Sequence, residues 1–193
     1  MGREFELKFR ADDEKIAAIR AQYGPFGEIS METTYYDTLN RDMRCRYWTL
    51  RRRYENGISV CTVKTPAPGG GRGEWETECG DIHDAIPRLV AAGAPEELLE
   101  LTKSGVSPVC AARFTRLAAQ RTLEECTVEL ALDRGVLMGG GRELPFAEVE
   151  VELKQGSEAA ATQFARVLAG VFSLVQEPRS KVQRALDLAN QQT

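Results

Sequence analysis

Charged side chains recur at every second position in several segments of this 193-residue sequence. The first segment, 3–9, is Arg-Glu-Phe-Glu-Leu-Lys-Phe, so Glu4, Glu6 and Lys8 alternate with apolar residues. Because successive side chains of a β-strand point to opposite faces, these three charges share one face. The same alternation returns in later segments, at Arg51 and Arg53, at Glu74, Glu76 and Glu78, and at Glu148, Glu150 and Glu152.

Sorting the charged residues by strand face gives two sets of opposite sign. The basic set is Lys8, Arg51, Arg53, Lys64, Arg72, Arg116 and Lys181, and the acidic set is Glu4, Glu6, Glu74, Glu76, Glu129, Asp133, Glu148, Glu150 and Glu152. Arginine and lysine suit phosphate oxygens, whereas a set of carboxylates suits a hard cation such as Mg²⁺ or Mn²⁺. Without a cation, three glutamates on one face would repel one another and raise their own pKa values. The two sets together indicate a mixed ligand, a polyanion that carries divalent cations.

The repetition of this pattern bears on the fold. One alternating strand is typical of a half-buried strand with solvated charges, but several such strands favour a closed barrel with a polar lumen and helices outside. The predicted strands are 3–9, 33–38, 46–54, 57–65, 72–79, 109–120, 124–133 and 143–154, and the predicted helices are 11–23, 82–92, 95–101, 157–171 and 180–189. Asn56-Gly57 predicts a hairpin, because both residues accept positive φ. We therefore expect an α+β fold, an eight-stranded antiparallel closed barrel in one domain of residues 1–193.

Composition limits the partners and the compartment. A net charge of −4 argues against a general nucleic-acid binder. The five cysteines (Cys45, Cys61, Cys79, Cys110 and Cys126) form no Cys-x-x-Cys pair, which favours reduced, mostly buried thiols over disulfides or a zinc site. No signal-peptide core is evident, and no apolar run approaches ~18 residues. We expect a soluble, cytoplasmic protein, monomeric or homodimeric, that binds neither nucleic acid nor membrane.

These motifs, in this order along nearly the whole chain, resemble the CYTH superfamily, the triphosphate tunnel metalloenzymes. The matching motifs are Glu4-x-Glu6-x-Lys8, Tyr35-Tyr36-Asp37-Thr38, Leu50-Arg51-Arg52-Arg53, Thr62-Val63-Lys64, Arg72-x-Glu74, Arg116, Glu129-Leu130-Ala131-Leu132-Asp133, Glu148-Val149-Glu150-Val151-Glu152 and Ser180-Lys181. Each motif alone is weak, and a lone Glu-x-Glu-x-Lys would occur often by chance. The specificity of the resemblance comes from their combination.

The resemblance implies a tunnel that binds a linear triphosphate and one or two Mg²⁺ or Mn²⁺ ions. It assigns the phosphates to Lys8, Arg51, Arg53, Lys64, Arg116 and Lys181, and the metal to Glu4, Glu6, Asp133, Glu148 and Glu150. Arg72 follows a Gly-rich loop and either reaches a terminal phosphate or lies at the tunnel mouth. Lys64, Glu148 and Glu150 are the candidate catalytic residues. Whether Lys64 or a water held by the metal serves in deprotonation stays open.

Three functions remain possible from the sequence. A metal-dependent hydrolase of inorganic tripolyphosphate is favoured, because no platform for an organic group is evident. In the family's thiamine-triphosphate enzymes a Trp directly precedes Leu-Arg-x-Arg, whereas Thr49 stands there in this chain, and strand parity predicts that Trp48 faces the other way. The alternatives are another enzyme of the same fold, an adenylyl cyclase or a thiamine triphosphatase, and a non-catalytic polyphosphate- or nucleotide-binding module. The large acidic set argues against the binding module, because a pure polyanion binder gains nothing from carboxylates.

Overall fold

A computed structural model describes residues 5–67 and 71–190. Glu4 lies outside these residues. Within them the strands are β1 (Glu6–Arg10), β2 (Gly27–Asp37), β3 (Thr49–Glu55), β4 (Ile58–Pro66), β5 (Arg72–Glu78), β6 (Ser107–Thr122), β7 (Cys126–Gly139), β8 (Arg142–Gly156) and β9 (Val175–Gln176). The helices are α1 (Asp13–Tyr23), α2 (Asp42–Cys45), α3 (Ile82–Ala91), α4 (Glu97–Thr102), α5 (Glu158–Val171) and α6 (Lys181–Asn190).

All neighbouring strands pair antiparallel in one sheet, in the order β5-β4-β3-β2-β6-β7-β8-β1-β9. The predicted antiparallel sheet with helices is confirmed, but the prediction of eight strands closed into a barrel is wrong in two respects. Within the described ranges the sheet has nine strands, and no hydrogen bonds join its edges, β5 and β9. The missed strand, β9, has only two residues, too few for a periodic pattern, and it covers the free edge of β1.

The sheet curls so that its two ends approach each other. Side chains of β5 and β1 line one cavity, although their strands lie near opposite ends of the strand order. A right-handed twist accumulated over many strands produces such curvature without closing the hydrogen-bond ladder. The concave face therefore encloses a space that side chains, rather than backbone pairing, complete.

The apolar faces of the strands pack outwards, as the alternation predicts. Phe9 of β1 lies in one core cluster with Ile19 of α1 and Leu168 of α5, and Phe5 and Leu7 pack against the same cluster. A second cluster packs α3 and α4 on strands β3 and β4. The predicted parity of the first strand is thus confirmed, because its aromatic and aliphatic residues face helices while Glu6 and Lys8 face the cavity.

Helix α6 differs from the other helices because it packs on the concave face. Its Ala185 lies in a cluster with Phe114 of β6, Leu137 of β7 and Phe146 of β8. These strand residues share the face that carries the charges farther along the same strands, as their pairing register shows. Helix α6 therefore fills one end of the cavity, and its first residue, Lys181, lies where the apolar end meets the charged end.

The cysteines are unpaired, as predicted. Cys61, Cys110 and Cys126 are buried, Cys79 is partly buried and Cys45 is exposed. Burial raises the pKa of the Cys61 thiol to about 11 and that of Cys110 to about 12. Both thiols are therefore protonated at neutral pH. Among the described helices, none combines the length and the apolar composition that crossing a bilayer requires.

The position of α6 depends on a close approach at Gly139. A Cβ atom at this position would lie 2.2 Å from the carbonyl oxygen of Ala185 and 3.1 Å from Ala189. We expect Gly139→Ala to lower the free energy of unfolding by roughly 1–3 kcal/mol, because the helix backbone must move. Gly80→Ala is the matched control, since a Cβ there meets no atom within 4 Å. Equal denaturant midpoints for the two variants would contradict this packing.

Candidate functional site

The concave face encloses a cavity of about 430 Å³ with a strongly charged lining. Its charged lining residues are Glu6, Lys8, Arg51, Arg53, Glu55, Lys64, Arg72, Glu74, Glu76, Arg116, Glu129, Glu150, Glu152, Lys154 and Lys181. They come from strands β1, β3, β4, β5, β6, β7 and β8 and from helix α6. The sheet and α6 thus bring together nine of the residues that the sequence predicts to bind phosphate or metal: Glu6, Lys8, Arg51, Arg53, Lys64, Arg72, Arg116, Glu150 and Lys181.

Two predicted metal ligands, Asp133 and Glu148, lie behind this lining. Both are completely buried, whereas Glu150 is 7% exposed and reaches the cavity. Asp133 and Glu148 are cross-strand partners on β7 and β8, and Glu150 follows on the same face. Each of the three offers a carboxylate oxygen, and these oxygens lie within 4.8 Å of one another. Glu4 falls outside the described residues, so its predicted role stays a prediction.

Three cationic side chains of the described residues contact this carboxylate cluster, defined here as Asp133, Glu148 and Glu150. The ammonium of Lys181 lies 2.7 Å from Asp133 Oδ2 and 2.8 Å from Glu150 Oε1, and it also contacts Glu148. Sequence reasoning assigned Lys181 to phosphate, but the structure places its ammonium group among the carboxylates.

Arginines complete the network around the carboxylate cluster. Arg116 donates from Nε to Asp133 Oδ1 at 2.8 Å and from Nη2 to Oδ2 at 2.7 Å, and it also contacts Glu150. The guanidinium of Arg184 donates to Glu148. Sequence reasoning missed Arg184, although it lies three residues after Lys181, and residues so spaced share a helix face. Buried carboxylates need such partners, because burial without them strongly disfavours the charged form.

Burial and charge act in opposite directions on the pKa values in this network. Burial raises the pKa of Glu148 even though Lys181 and Arg184 lie beside it. Burial opposes the charged form of Glu150 too, but Lys181 and Arg116 outweigh it and hold the pKa of Glu150 well below its usual range. Burial would lower the pKa of Lys181, but the three carboxylates outweigh it and raise that pKa above its ordinary value. Lys181 is therefore a permanent cation at neutral pH.

Aromatic rings lie beside the same ammonium group. Lys181 Nζ lies 5.1 Å from the ring centroid of Phe114 and 5.6 Å from that of Phe146. The two rings pack edge to face, with centroids 5.7 Å apart. Ring faces attract cations, most strongly where water is excluded. The rings therefore add to the carboxylates in holding Lys181 at this end of the cavity.

The wall formed by β3, β4 and β5 carries cations with looser partners. Arg51 Nη2 lies 3.5 Å from Glu74 and from Glu76, and Lys64 Nζ lies 3.1 Å from Glu74. Arg53 donates from Nε to Thr33 Oγ1 at 2.9 Å, a neutral acceptor. Burial, assisted by the nearby Arg51, lowers the pKa of Arg53 to about 10, so it remains protonated at neutral pH.

Arg72 lies at the rim of this wall rather than deep in the cavity. Its Nη2 group donates to the Tyr47 carbonyl oxygen at 3.2 Å and to Thr49 Oγ1 at 3.3 Å. Arg72 also lines the cavity, so its contact with a terminal phosphate stays a prediction.

A row of carboxylates lines the opposite wall. Glu6, Glu152 and Glu129 are direct cross-strand neighbours on β1, β8 and β7. Lys8 lies 2.8 Å from Glu6, and Lys154 lies 2.8 Å from Glu152 and 3.9 Å from Glu129. Lys154 was missed in the sequence, although it shares the strand face of Glu152. Glu152, a member of the predicted acidic set, also lines the cavity.

The donor set fits a divalent cation. All ligand atoms offered by the carboxylate cluster are oxygens, which Mg²⁺ and Mn²⁺ prefer, and the three carboxylates converge within 4.8 Å. The ammonium of Lys181 already contacts all three residues. The cluster can therefore accept a metal ion only if this ammonium group moves.

A smaller pocket of about 230 Å³ adjoins the cavity at its mouth. The two share five lining residues, Tyr35, Thr49, Arg72, Ser180 and Val182. Trp48 precedes β3, which begins at Thr49. It does not line the charged cavity, in agreement with the predicted parity, but packs against the second core cluster and lines this smaller pocket. Tyr47 also lines it and is 78% exposed. An organic group attached to a molecule in the cavity would meet these aromatic side chains.

Comparisons with known proteins agree on one family. A sequence model of the CYTH domain matches residues 2–186. An inorganic triphosphatase of Haemophilus influenzae is 25% identical over 166 residues, which are 85% of this chain and 47% of that protein. The chain thus spans about half the length of this curated relative.

Solved structures share the fold. A proposed adenylate cyclase from Bacillus halodurans superposes with a TM-score of 0.64 at 22% identity, covering 95% of this chain and 98% of its own. A proposed adenylyl cyclase from Hippeastrum, described as revealing a dominant triphosphatase activity, gives a TM-score of 0.67 at 17% identity, covering 99% and 98%. At these identities the likeness concerns the fold.

Metal and triphosphate binding can be tested through stability. We expect Mn²⁺ and tripolyphosphate together to raise the melting temperature, because ligands that bind only the folded state stabilise it, by roughly 2.7 kcal/mol at a hundredfold excess over the dissociation constant. Glu150→Gln should reduce this increase, whereas Glu143→Gln, at an exposed position of β8, should leave it unchanged. If the melting temperature of the unmodified protein does not change when Mg²⁺ or Mn²⁺ is added together with tripolyphosphate, the prediction that these ligands bind is contradicted.

Proposed function

We propose that this chain, which belongs to the CYTH domain family, is a metal-dependent hydrolase of a linear triphosphate, with inorganic tripolyphosphate as the favoured substrate. One observation supports this proposal above the others: a single cavity carries a cation-rich wall and a carboxylate-rich wall. A tripolyphosphate is a linear polyanion, and phosphoryl transfer requires neutralisation of charge on its non-bridging oxygens.

The basic residues bind and orient the phosphates. Arg51 and Arg53 lie on β3 and Lys64 on the neighbouring strand β4, and the 3.5 Å contacts of Arg51 are longer than those of the cations at the carboxylate cluster. An arginine fork binds two phosphate oxygens at once, so Arg51 and Arg53 fix the position of the chain of phosphates, and Lys64 adds a point charge. Lys8 and Arg116 extend the same contact surface towards the other wall.

The carboxylates hold Mg²⁺ or Mn²⁺. Asp133, Glu148 and Glu150 are the donors whose convergence the structure supports, with Glu6 on the adjoining wall and Glu4 as a further candidate. A bound divalent ion supplies charge neutralisation at phosphate oxygens and activation of water. Glu150 is the member of the cluster that also lines the cavity, so it connects the buried carboxylates to the substrate space.

Lys64 is a candidate for a role in the proton chemistry. Its ammonium group is held 3.1 Å from Glu74 and faces the cavity beside Arg51. From there it can orient a water molecule or stabilise the oxygen that leaves when a phosphoanhydride bond breaks. The side chain is therefore a candidate catalytic group together with Glu148 and Glu150.

The names of the relatives favour hydrolysis. The Haemophilus influenzae relative is an inorganic triphosphatase, and the protein from Hippeastrum is described as having a dominant triphosphatase activity. The carboxylate-rich wall also favours an enzyme over a non-catalytic binder, because carboxylates without a metal weaken the binding of a polyanion. Cytoplasmic location, one domain over 1–193, a monomer or homodimer, and the lack of nucleic-acid and membrane partners remain predictions.

A second candidate function is favoured by the adjoining pocket. Trp48 and the exposed Tyr47 offer aromatic surface next to the cavity mouth, where Arg72 lies. An organic triphosphate, such as a nucleoside or thiamine triphosphate, could place its phosphates in the cavity and its ring system here. The same pocket would serve an adenylyl cyclase, the class proposed for the protein from Bacillus halodurans.

Phosphate release separates these functions. We expect release from tripolyphosphate with Mg²⁺ or Mn²⁺, none with excess chelator, and a lower kcat/KM with ATP and thiamine triphosphate. A higher kcat/KM with an organic triphosphate would favour the second candidate, and formation of a cyclic nucleotide from ATP would indicate a cyclase. Tight binding of tripolyphosphate without phosphate release under any divalent metal would overturn the hydrolase and favour a binding module.

Variants separate the roles of the two walls. Glu150→Gln removes a charge that holds metal, so kcat should fall by at least about 100-fold, which corresponds to ~2.7 kcal/mol of transition-state stabilisation. Arg53→Ala should raise KM and leave kcat nearly unchanged, because its fork contacts the phosphates equally in the ground state and the transition state. The control Arg113→Ala removes an exposed arginine of β6 and should change neither constant. A kcat of Glu150→Gln near that of the unmodified enzyme would contradict the assignment.

A further inference from the structure

The contacts of Lys181 differ from those of the other two cations at the carboxylate cluster. Its ammonium contacts all three carboxylates and its side chain also lines the cavity. Arg184 contacts Glu148 but does not line the cavity, and Arg116 makes a two-bond contact with Asp133. Lys181 is therefore the cation that occupies the centre of the cluster and still has open space beside it.

The charges of the cluster balance as it stands. Three carboxylates are contacted by three cationic groups, so the network has no net negative charge when all are ionised. Adding a divalent cation to a neutral buried network would leave a net charge of +2, and uncompensated buried charge is strongly unfavourable. If one resident cation leaves when the metal enters, the net charge is only +1.

We propose that Lys181 is a resident counter-ion that exchanges with the metal: the ammonium holds the carboxylates together when no metal is bound, and moves into the cavity towards the phosphates when a divalent cation enters. Lysine suits this role, because its charge lies at the end of a flexible four-carbon chain. The guanidinium groups of Arg116 and Arg184 are rigid and planar, and they are less suited to leaving their carboxylate partners. Helix α6 itself need not move. Ser180 Oγ accepts from Gln183 N at 3.2 Å and caps the helix start.

The exchange couples the two ligands. When the metal replaces the ammonium group, the cluster gains one positive charge and the displaced ammonium adds another to the cavity. Both charges attract a polyanion, so metal binding strengthens triphosphate binding. By thermodynamic linkage, triphosphate binding must strengthen metal binding by the same factor. Without a polyanion the metal competes with Lys181 and binds weakly. Coupling between two sites is typically about 5- to 150-fold in affinity.

This inference rests on the proposed function only in assigning metal to the carboxylate cluster, and binding measurements test it without turnover. Mn²⁺ affinity is measured by electron paramagnetic resonance, alone and with imidotriphosphate, a tripolyphosphate whose bridging oxygens are replaced by NH groups. For the unmodified protein we expect Mn²⁺ to bind at least about fivefold more tightly when imidotriphosphate is present.

The decisive variant is Lys181→Met, which keeps the unbranched chain and removes the charge. We expect it to bind Mn²⁺ alone about tenfold more tightly than the unmodified protein, and to lose the part of the coupling that comes from the displaced ammonium group. A structural role predicts the opposite, because loss of a buried ion-pair partner would loosen the site and weaken Mn²⁺ binding. Lys154→Met is the matched control. It removes a cavity lysine that pairs with Glu152 outside the cluster, and it should retain the coupling. Equal or weaker Mn²⁺ binding by Lys181→Met overturns the exchange.

A measurement on the unmodified protein covers the case in which Lys181→Met does not fold. Acetic anhydride modifies exposed lysines, and peptide mass spectrometry reports the extent at each site. Mn²⁺ alone should increase modification of Lys181 relative to the exposed Lys103, because the ammonium of Lys181 leaves its buried contacts. Unchanged or reduced modification at saturating Mn²⁺ overturns the proposal. If Mn²⁺ binds in neither the presence nor the absence of imidotriphosphate, the metal assignment of the proposed function falls as well.

Discussion

The compensation of buried carboxylates by cations is the constraint on which this structure depends. Asp133 and Glu148 are completely buried and Glu150 nearly so, and burial of an uncompensated carboxylate is strongly unfavourable. Each is therefore matched by Lys181, Arg116 or Arg184. Buried ion pairs of this kind contribute little net stability, because desolvation offsets their attraction. Their presence at the end of a charged cavity is better explained by ligand binding than by folding.

The fold satisfies this constraint through two devices. Strand alternation directs charges to the concave face and apolar residues to the outer helices, so one sheet supplies both a core and a polar cavity. Helix α6 then enters the concave face and delivers Lys181 and Arg184 from one helix face. Gly139 permits this approach, because a side chain there would meet the helix backbone. The carboxylates, the cations and the aromatic rings of Phe114 and Phe146 thus depend on one helix–sheet contact.

Much of this arrangement is visible in the sequence because it depends on local periodicity. The parity of β1 follows from its alternating residues, and the turn at Asn56-Gly57 has the positive φ values of 50° and 90° that this pair accepts. Strand β6, with alanines at 111–112 and 118–119, is less evident, since alanine has low strand propensity. Its Ala112 is small because it lies under α6, a contact that no local pattern encodes.

The remaining features depend on long-range contacts. The contacts of Lys181 with the carboxylate cluster could not be predicted, because residue type alone does not distinguish a lysine that faces a ligand from one held by carboxylates. The pairing of β9 and the incomplete closure of the sheet depend on the twist accumulated over all strands, because this twist sets how closely the two edges approach. Side-chain alternation assigns residues to faces but does not specify the twist. The side pocket at Trp48 depends on where β3 begins, and strand limits are the least predictable feature of a sequence.

The most direct measurement is anomalous diffraction from crystals grown with Mn²⁺ and imidotriphosphate. The central claim is that one cavity holds the metal on its carboxylates and the phosphates on its arginines and lysines. It predicts an Mn²⁺ peak coordinated by oxygens of Asp133, Glu148 or Glu150, with the phosphates on Arg51, Arg53 and Lys64. An Mn²⁺ peak outside the cavity, or a triphosphate bound elsewhere while the carboxylate cluster keeps its present contacts, would contradict it.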